Sequence, residues 1–232
     1  ETTALIDSAK RNNCDVLLSV TNFGAANQRT FLKNKKAHAH FFKTITRLLM
    51  VRDADGIILD LTDIPAELKN KLSHFIISLS EVLKRKNSNY KLYLSIPTPH
   101  EAEAIDINRL NKVIDIFVVT PLSFINGKKP AFGPIFPLVA KDSTTNHAIT
   151  PAVYSWLQRG IPREKLIIGI PYFGGKWKVQ LSSSDVTETE FVQYLPYRNI
   201  KTQFTTASYD SISESFSYSF RSANGNDFKI WY

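Results

Sequence analysis

Three aspartates lie in one segment, which reads Asp55-Gly56-Ile57-Ile58-Leu59-Asp60-Leu61-Thr62-Asp63. Its apolar middle predicts a short strand over residues 56–61, on which alternation places Ile58, Asp60 and Thr62 on one face. A carboxylate on a buried strand is costly unless it is paired or takes part in chemistry. We therefore interpret Asp60 either as a hydrogen-bonded structural group or as a ligand contact, and Asp55, at the strand entrance, as structural.

Asp63 directly follows this strand, and two roles are open to it. It stands just before Pro65, where a helix is expected to begin, and an aspartate in that place accepts hydrogen bonds from unpaired backbone N–H groups. A bend at the strand end would instead turn it towards the carboxyl ends of the strands, where the catalytic groups of a parallel barrel gather. The capping role is the favoured interpretation.

Aromatic side chains at predicted strand ends are candidates for binding flat apolar faces such as those of sugar rings. Phe23 and Tyr172 lie at or just after such ends, and Phe173 directly follows Tyr172. Trp177 comes after Gly174-Gly175 on a predicted loop and is the foremost single candidate. Aromatic residues also dominate protein cores, so core packing is the alternative for each of them.

The sequence lacks the residue patterns on which several other chemistries depend. His38 and His40 are two positions apart, which does not place them on one helix face, and no metal-binding spacing is present. Cys14 is the only cysteine, and neither a Gly-x-Ser-x-Gly elbow nor a glycine-rich phosphate loop occurs. We therefore expect no metal site and no cofactor.

The composition is that of a globular protein. The chain has 232 residues, of which 43% are hydrophobic and 22% charged. Its formal net charge is +8, but the basic residues are scattered, so we expect solvated surface rather than a nucleic-acid partner. No apolar run approaches the roughly 18 residues that a membrane-spanning helix needs.

The first two-thirds of the chain alternate between short strands and helices. Apolar periodicity predicts helices over 2–12, 36–51, 65–86, 107–112 and 147–159, and strands over 16–20, 56–61, 91–96, 115–119 and 166–170. Continuously apolar strands between amphipathic helices indicate parallel strands covered by helices, so the fold class is α/β. Helix 147–159 is expected to end at Gly160.

The pattern changes after Pro171. Phe216, Tyr218 and Phe220 alternate with serines, as in a half-exposed strand, and Asn224-Gly225 is a hairpin signal before a returning strand. We therefore divide the chain into a parallel portion, residues 1–171, and a small antiparallel portion, residues 172–232.

Four segments resemble glycoside hydrolase family 18, the chitinase-type enzymes, in the right order. Residues 55–63 look like a worn copy of the signature Asp-Gly-x-Asp-x-Asp-x-Glu, and residues 17–24 resemble the third barrel strand and its loop. The most specific match is residues 160–174, which are very similar to the segment around the seventh strand. Residues 229–232 resemble the end of the α+β subdomain that many members insert after it.

The resemblance implies a partial TIM (β/α)8 barrel of chitinase type with part of the inserted α+β subdomain. Residues 16–171 would supply strands three to seven, and strands one, two and eight have no counterpart here. Five parallel strands cannot close an eight-stranded barrel.

At the signature, this sequence departs from the family at the residues that carry the reaction. In family members the glutamate is the general acid and the middle aspartate orients the substrate's N-acetyl group. By position the acid is Thr62 and the middle aspartate is Ile58, whereas the last aspartate is kept as Asp60. A Tyr-Asp pair expected after the sixth strand is replaced by Pro121-Leu122. A threonine hydroxyl cannot act as a tuned carboxylic acid does.

The resemblance therefore implies a chitinase-like protein that is catalytically impaired and binds glycans containing N-acetylglucosamine, with Phe23, Tyr172 and Trp177 as contacts. A first alternative is an active glycosidase in which Asp63 has taken over as the acid, helped by Asp60. A second is a non-enzymatic scaffold or protein-binding module. The family also favours an extracellular or cell-envelope location.

Overall fold

The computed structural model describes residues 2–97, 102–120, 132–139, 148–182, 185–203 and 206–232. These fall into two compact units, one formed by residues 1–120 and 156–168 and the other by residues 121–155 and 169–232. The helices are α1 Thr2–Arg11, α2 Ala25–Leu32, α3 Lys35–Val51, α4 Lys69–Lys86, α5 Ile107–Leu110, α6 Ile149–Gln158 and α7 Tyr197–Gln203. The strands are β1 Leu17–Asn22, β2 Gly56–Leu61, β3 Lys91–Ile96, β4 Ile116–Val119, β5 Leu166–Ile168, β6 Phe173–Ser182, β7 Asp185–Pro196, β8 Ser208–Asp210, β9 Ser215–Arg221 and β10 Asp227–Trp231.

A parallel sheet with the order β1-β2-β3-β4-β5 forms the centre of the first unit. Successive strands pair in register, as in Leu17 with Gly56 and Gly56 with Lys91. The prediction of an α/β fold with parallel strands is confirmed. Within the part of the chain that the structure describes, the five strands form an open sheet and do not close into a barrel.

One face of this sheet is buried against the helices. Leu59 of β2 and Leu94 of β3 are 1% exposed, and they share a hydrophobic core with Leu72 and Ile76 of α4. Alternation turns the intervening residues of β2, Ile58 and Asp60, to the opposite face. The sheet therefore presents to that face the positions that would line the inside of a closed barrel.

Aspartates that precede strands fasten the sheet at its entrance. Asp55 stands before β2, and its carboxylate accepts a hydrogen bond from the Val16 N–H at 2.7 Å. Asp115 stands before β4 and likewise accepts from the Leu92 N–H at 2.7 Å. Each carboxylate thus provides an acceptor for a backbone N–H at the beginning of a neighbouring strand. The structural role expected for Asp55 is confirmed.

Asp55 also forms an ion pair with Lys10, whose Nζ lies 2.9 Å from its Oδ1. Partial burial alone would raise the pKa of the Asp55 carboxyl, but the hydrogen bonds from Lys10 and from the Val16 N–H outweigh that effect. The pKa of Asp55 is therefore lower than usual. The same hydrogen bond raises the pKa of Lys10, so both partners favour the charged pair.

Gly56 is required where β2 passes β3. A Cβ atom at this position would lie 2.1 Å from the Lys91 carbonyl oxygen, which is backbone and cannot move aside. No side chain fits at this contact without separating the two strands, so the glycine fixes how closely they approach.

The second unit contains an antiparallel sheet with the order β7-β6-β10-β9-β8. Its β9–β10 hairpin was predicted, and Gly225 has the positive φ, 78°, that its turn requires. Trp177 and Trp231 pack with Val179 and Ile135 into a separate hydrophobic cluster. The long β6–β7 hairpin was not predicted, and Trp177, which was expected on a loop, lies within β6.

Candidate functional site at the strand ends

The carboxyl ends of β1 and β2 are joined by a single buried side chain, that of Gln28 in α2. Its Nε2 donates to the Asn22 carbonyl at 2.7 Å and to the Thr62 carbonyl at 2.9 Å. The Asn22 amide donates back to the Gln28 Oε1 at 3.2 Å, and the Gln28 residue is 0% exposed. A fully satisfied buried amide of this kind fixes the two strand ends relative to each other.

Thr62 and Asp63 form the tip of β2. The Thr62 hydroxyl donates a hydrogen bond to Oδ2 of Asp63 at 3.2 Å. Asp63 has φ 54°, in the left-handed region, so the strand direction is broken at this residue. Alternation along β2 therefore does not set the direction of the Asp63 side chain, which is exposed and lies against the threonine.

Asp63 does not cap a helix, contrary to the favoured interpretation. The helical turn at residues 66–68 begins after Pro65 without a hydrogen bond from a capping side chain, and α4 likewise begins without one. The physical reason is the left-handed backbone at Asp63, which carries its carboxylate back to Thr62 instead of on to the helix.

Asp60 lies within β2, two residues before Thr62. It pairs with Thr21 of β1 in the ladder and is half-buried on the face opposite Leu59 and Leu61. The end of β2 thus carries two carboxylates, Asp60 and Asp63, with a neutral hydroxyl between them. The hydroxyl can donate or accept hydrogen bonds, but only a carboxyl group can deliver a proton to a leaving group.

The ends of β3 and β4 carry neutral polar groups. Ser95 and Thr120 share a hydrogen bond between their hydroxyls at 2.9 Å. The carbonyl of Pro97 accepts a hydrogen bond from Trp156 Nε1 at 3.0 Å, and this indole is 0% exposed, so Trp156 belongs to the core. Pro121 and Leu122, where the family pattern has its Tyr-Asp pair, lie outside the described residues.

Two of the three predicted sugar-binding aromatics are exposed. Phe23 is 54% exposed directly after β1, next to Gly24, whose φ of 87° begins the turn into α2. Tyr172 is 77% exposed in the second unit, where it lies between the end of β5 at Ile168 and the start of β6. Both therefore have ring surface available to a ligand.

Trp177, the foremost candidate, has its ring buried. It lies within β6 rather than on a loop and is 1% exposed. Its ring packs edge-on with Phe132 at 5.9 Å and Phe191 at 5.5 Å, and a Cβ on Gly175 would meet it at 2.3 Å. The neighbouring glycine gives the indole its space, so in this structure the ring fills the core of the second unit and offers no face to a sugar.

Tyr172 begins a row of adjoining rings that the sequence did not reveal, in which Tyr232 is half-buried and the other rings are exposed. Its ring centroid lies 6.0 Å from that of Tyr197, which lies 6.0 Å from that of Tyr232. Tyr232 stacks at 6.1 Å with Phe216, and Phe216 lies 5.2 Å from Tyr209. We call these five residues the aromatic row. The alternation of residues 216–220 was a signal for a strand, but it could not show that rings from distant segments adjoin.

Gln28 was also missed, because residues 25–32 carry polar and small side chains without helical apolar periodicity. Among the residues that the structure describes, no three His, Cys, Asp or Glu side chains are grouped so as to hold a metal ion. No helix within those same ranges has the length and apolar character needed to cross a membrane.

Comparison with known proteins gives one family. A model described as glycosyl hydrolases family 18 matches residues 1–231. Probable chitinase 2 of Drosophila melanogaster is 23% identical over 175 residues, which make up 72% of this chain and 36% of that protein. This chain therefore spans about a third of the length of that relative.

Solved structures give the same answer for the fold. The Group IV chitinase of Ostrinia furnacalis in complex with allosamidin superimposes with a TM-score of 0.78 at 18% identity, covering 97% of this chain and 68% of that one. Chitinase ChiW of a Paenibacillus species is described as a cell-surface-expressed multi-modular enzyme. It superimposes with a TM-score of 0.79 at 14% identity, covering 98% of this chain and 23% of that one. At these identities the likeness shows a shared fold.

Proposed function

This chain belongs to glycosyl hydrolase family 18, and from that premise we propose that it is a chitinase-like protein that binds glycans containing N-acetylglucosamine and is impaired in hydrolysis. The observation that carries the proposal is the tip of β2. A threonine stands where the family pattern has its acid, and an isoleucine, Ile58, stands where the pattern has the aspartate that orients the N-acetyl group. Two roles of the reaction thus lack their carboxylates.

Exposed rings supply the binding half of the proposal. A pyranose offers an apolar face that packs against an aromatic ring, and Phe23 and Tyr172 each have such a ring in the open. The aromatic row extends the second of these surfaces, because Tyr197 and Tyr232 continue it at about the spacing of neighbouring rings. Trp177 is left out of this set because its ring is buried.

The glycan is the partner that this proposal names, and an extracellular or cell-envelope location goes with it. One structural neighbour is described as a cell-surface-expressed enzyme, which supports that location by fold alone. The net positive charge is not taken as evidence for a nucleic-acid partner. Fractionation of the source cells, with detection of the chain by antibody, tests the location directly.

The experiment is calorimetry with N-acetylglucosamine oligomers of four to six sugars, joined to a hydrolysis assay on the same oligomers. We expect binding without turnover. Phe23→Ala and Tyr172→Ala should each weaken binding by about five- to tenfold, since an exposed stacking ring contributes on the order of 1 kcal/mol. Tyr154→Ala is the matched control, because Tyr154 is 63% exposed on α6 and belongs to neither surface.

Turnover would contradict the impaired half of the proposal and favour an active enzyme. One observation supports that second candidate: the carboxylate of Asp63 contacts the hydroxyl that stands in the acid position. In that case Asp63→Asn should abolish hydrolysis while leaving binding intact, and Thr62→Ala should reduce it less. A folded chain that neither binds nor hydrolyses these oligomers would leave a scaffold or protein-binding role instead.

A further inference from the structure

Helices α2 and α3 carry an unbalanced positive charge. From residue 16 to residue 52 the sequence contains no aspartate or glutamate. The same stretch contains Arg29, Lys33, Lys35, Lys36, Lys43, Arg47 and Arg52. These seven cations come close to the formal net charge of the whole chain, which is +8. The positive charge is therefore concentrated in this part of the first unit.

A cavity of about 500 Å³ opens among these cations, between the end of α2, the start of α3 and the first half of α4. Lys33, Lys35 and Lys71 line it together with His38 and His74, and no carboxylate lines it. The charge of Lys33 contributes to lowering the pKa of Glu67, but the Glu67 carboxylate is already bonded to Arg29 Nε at 2.9 Å. The lining cations thus have no acidic partner inside the cavity.

In each of the two histidines, one ring nitrogen contacts a backbone carbonyl and the other does not. His38 Nε2 lies 3.0 Å from the Phe31 carbonyl, and His74 Nδ1 lies 2.6 Å from the Asn70 carbonyl. A carbonyl only accepts, so these nitrogens carry the hydrogens and the other ring nitrogen of each histidine is the one left for a ligand. Burial lowers the pKa of His38, so an anion bound beside it would raise that pKa again.

Helix α3 adds to the field. Its first turn contains Lys35 and Lys36 and no acidic residue, although the amino end of a 17-residue helix is itself positive. Cations in that place repel the helix dipole, so the arrangement is unfavourable in the absence of an anion. The cavity and its side chains, rather than the helix end, define the site.

One wall of the cavity is aromatic. The rings of Phe42 and Phe75 stack with centroids 5.7 Å apart and an interplanar angle of 19°, and both line the cavity. Phe75 is 2% exposed and lies behind this wall, so the half-buried ring of Phe42 is the surface that a ligand can contact. The volume exceeds what a bare oxyanion needs, and the Phe42 ring suits a second ring. A ligand with one strongly charged group and one flat apolar part fits both walls.

We propose that this cavity binds a small phosphate monoester that carries a ring, with the phosphate among the three lysines and two histidines and the ring against Phe42. Lysines supply point charges to a phosphate dianion, and protonated histidines donate to its oxygens. The cavity is lined by residues in or next to α2, α3 and α4 and shares none with the strand ends. The proposal is therefore tested independently of glycan binding.

The test is a titration with phenyl phosphate, with inorganic phosphate and phenol as the two half-ligands, followed by calorimetry and by NMR of the histidine rings. We expect phenyl phosphate to bind more tightly than either half, and the pKa of His38 to rise on binding. Lys33→Gln/Lys35→Gln/Lys71→Gln should weaken binding at least about tenfold.

The control is Lys36→Gln/Lys43→Gln/Lys86→Gln, which removes the same charge from exposed lysines that do not line the cavity. It should change the affinity by less than about twofold, and thermal unfolding of both variants shows that they fold. An equal loss in both variants would overturn the proposal, since the attraction would then be the field of the whole chain. Binding only to vesicles that contain phosphatidic acid, or no binding of phenyl phosphate by the wild-type chain, would also overturn it.

Discussion

Thr62 illustrates how a single side chain decides what a site can do. Its hydroxyl, which stands at the acid position in the proposed function, donates a hydrogen bond to Asp63. A hydroxyl in that role holds its neighbour but does not protonate a glycosidic oxygen at neutral pH. The same contact places the Asp63 carboxylate next to this hydroxyl, so Asp63→Asn distinguishes the proposed impaired protein from an active enzyme.

Asp55 and Lys10 lead to a prediction about acid stability. Because the folded pKa of Asp55 is depressed, its stabilisation is present above its unfolded pKa of about 4 and is lost as the pH falls through the folded value. Asp55→Asn should therefore lower the free energy of unfolding by about 1 kcal/mol at pH 7, a figure kept small because the pair is partly exposed.

Urea unfolding of the wild type and Asp55→Asn at pH 7, 5 and 3 measures this effect. The difference between them should shrink as the pH falls to 3. A difference that stays constant over this range would show that Asp55 acts through the Val16 hydrogen bond alone and not through its charge.

Trp177 gives a second prediction at this scale. A fully buried indole packed between Phe132 and Phe191 leaves a large cavity when it is truncated. Trp177→Ala should cost about 3–5 kcal/mol of the free energy of unfolding, and Trp177→Phe clearly less. If chemical denaturation shows Trp177→Ala to be neutral while glycan binding is lost, the ring contacts ligand instead of core.

At the scale of elements, the closeness of β2 and β3 depends on Gly56. The added methyl group of Gly56→Ala would meet the Lys91 carbonyl oxygen at 2.1 Å, so the strands must separate or bend. We expect a loss of about 2–4 kcal/mol, in the range of overpacked or strained sites. Gly225→Ala is the comparison, because no atom lies within 4 Å of its Cβ position and only the positive φ opposes the change.

Thermal unfolding followed by circular dichroism measures both variants. Gly56→Ala should lower the melting temperature more than Gly225→Ala, for which about 1 kcal/mol is expected. The reverse order would mean that β2 and β3 can move apart without cost.

Elements with one strong period were predictable from the sequence. Strands 56–61 and 91–96 are confirmed with the same limits, and helix 36–51 differs by one residue, because their apolar residues repeat at the period of a single buried face. Helix α2 was missed because its two buried residues are Gln28 and Leu32 rather than a repeating apolar stripe.

The site was less predictable than the fold, because it depends on backbone conformation at single residues. The position of Asp60 on β2 follows from alternation. The direction of Asp63 does not, since its left-handed φ breaks the alternation. Trp177 was predicted to lie on a loop because two glycines precede it. Both glycines instead lie in β6, and Gly175 leaves the space that the Trp177 ring occupies. Which rings from separate segments adjoin in the aromatic row is a property of the fold alone.

For the molecule as a whole, the parallel sheet presents exposed strand edges. Within the described ranges β1 and β5 each have one neighbouring strand, and Ile167 and Ile168 of β5 are 46% and 38% exposed. Exposed apolar edge strands promote association between chains. We therefore expect this chain to self-associate at high concentration, in spite of its net charge.

Ile167→Lys tests this expectation, because an inward or edge lysine blocks strand pairing. Light scattering across a concentration series should show weaker association for Ile167→Lys than for Leu5→Lys. The latter adds the same charge at a residue that is 71% exposed on α1. Equal behaviour of the two variants would assign the effect to charge, and monomeric wild type would refute the expectation.

The amide of Gln28 holds the main chain of two loops with one nitrogen, the loop after β1 and the loop after β2. Neither loop can shift without straining a bond to the other. Among related sequences we expect residues 22–24 and 62–63 to covary, with replacements at position 28 accompanied by changes in both. On the proposed function, a change of the acid at the second loop would then be accompanied by a change in the first.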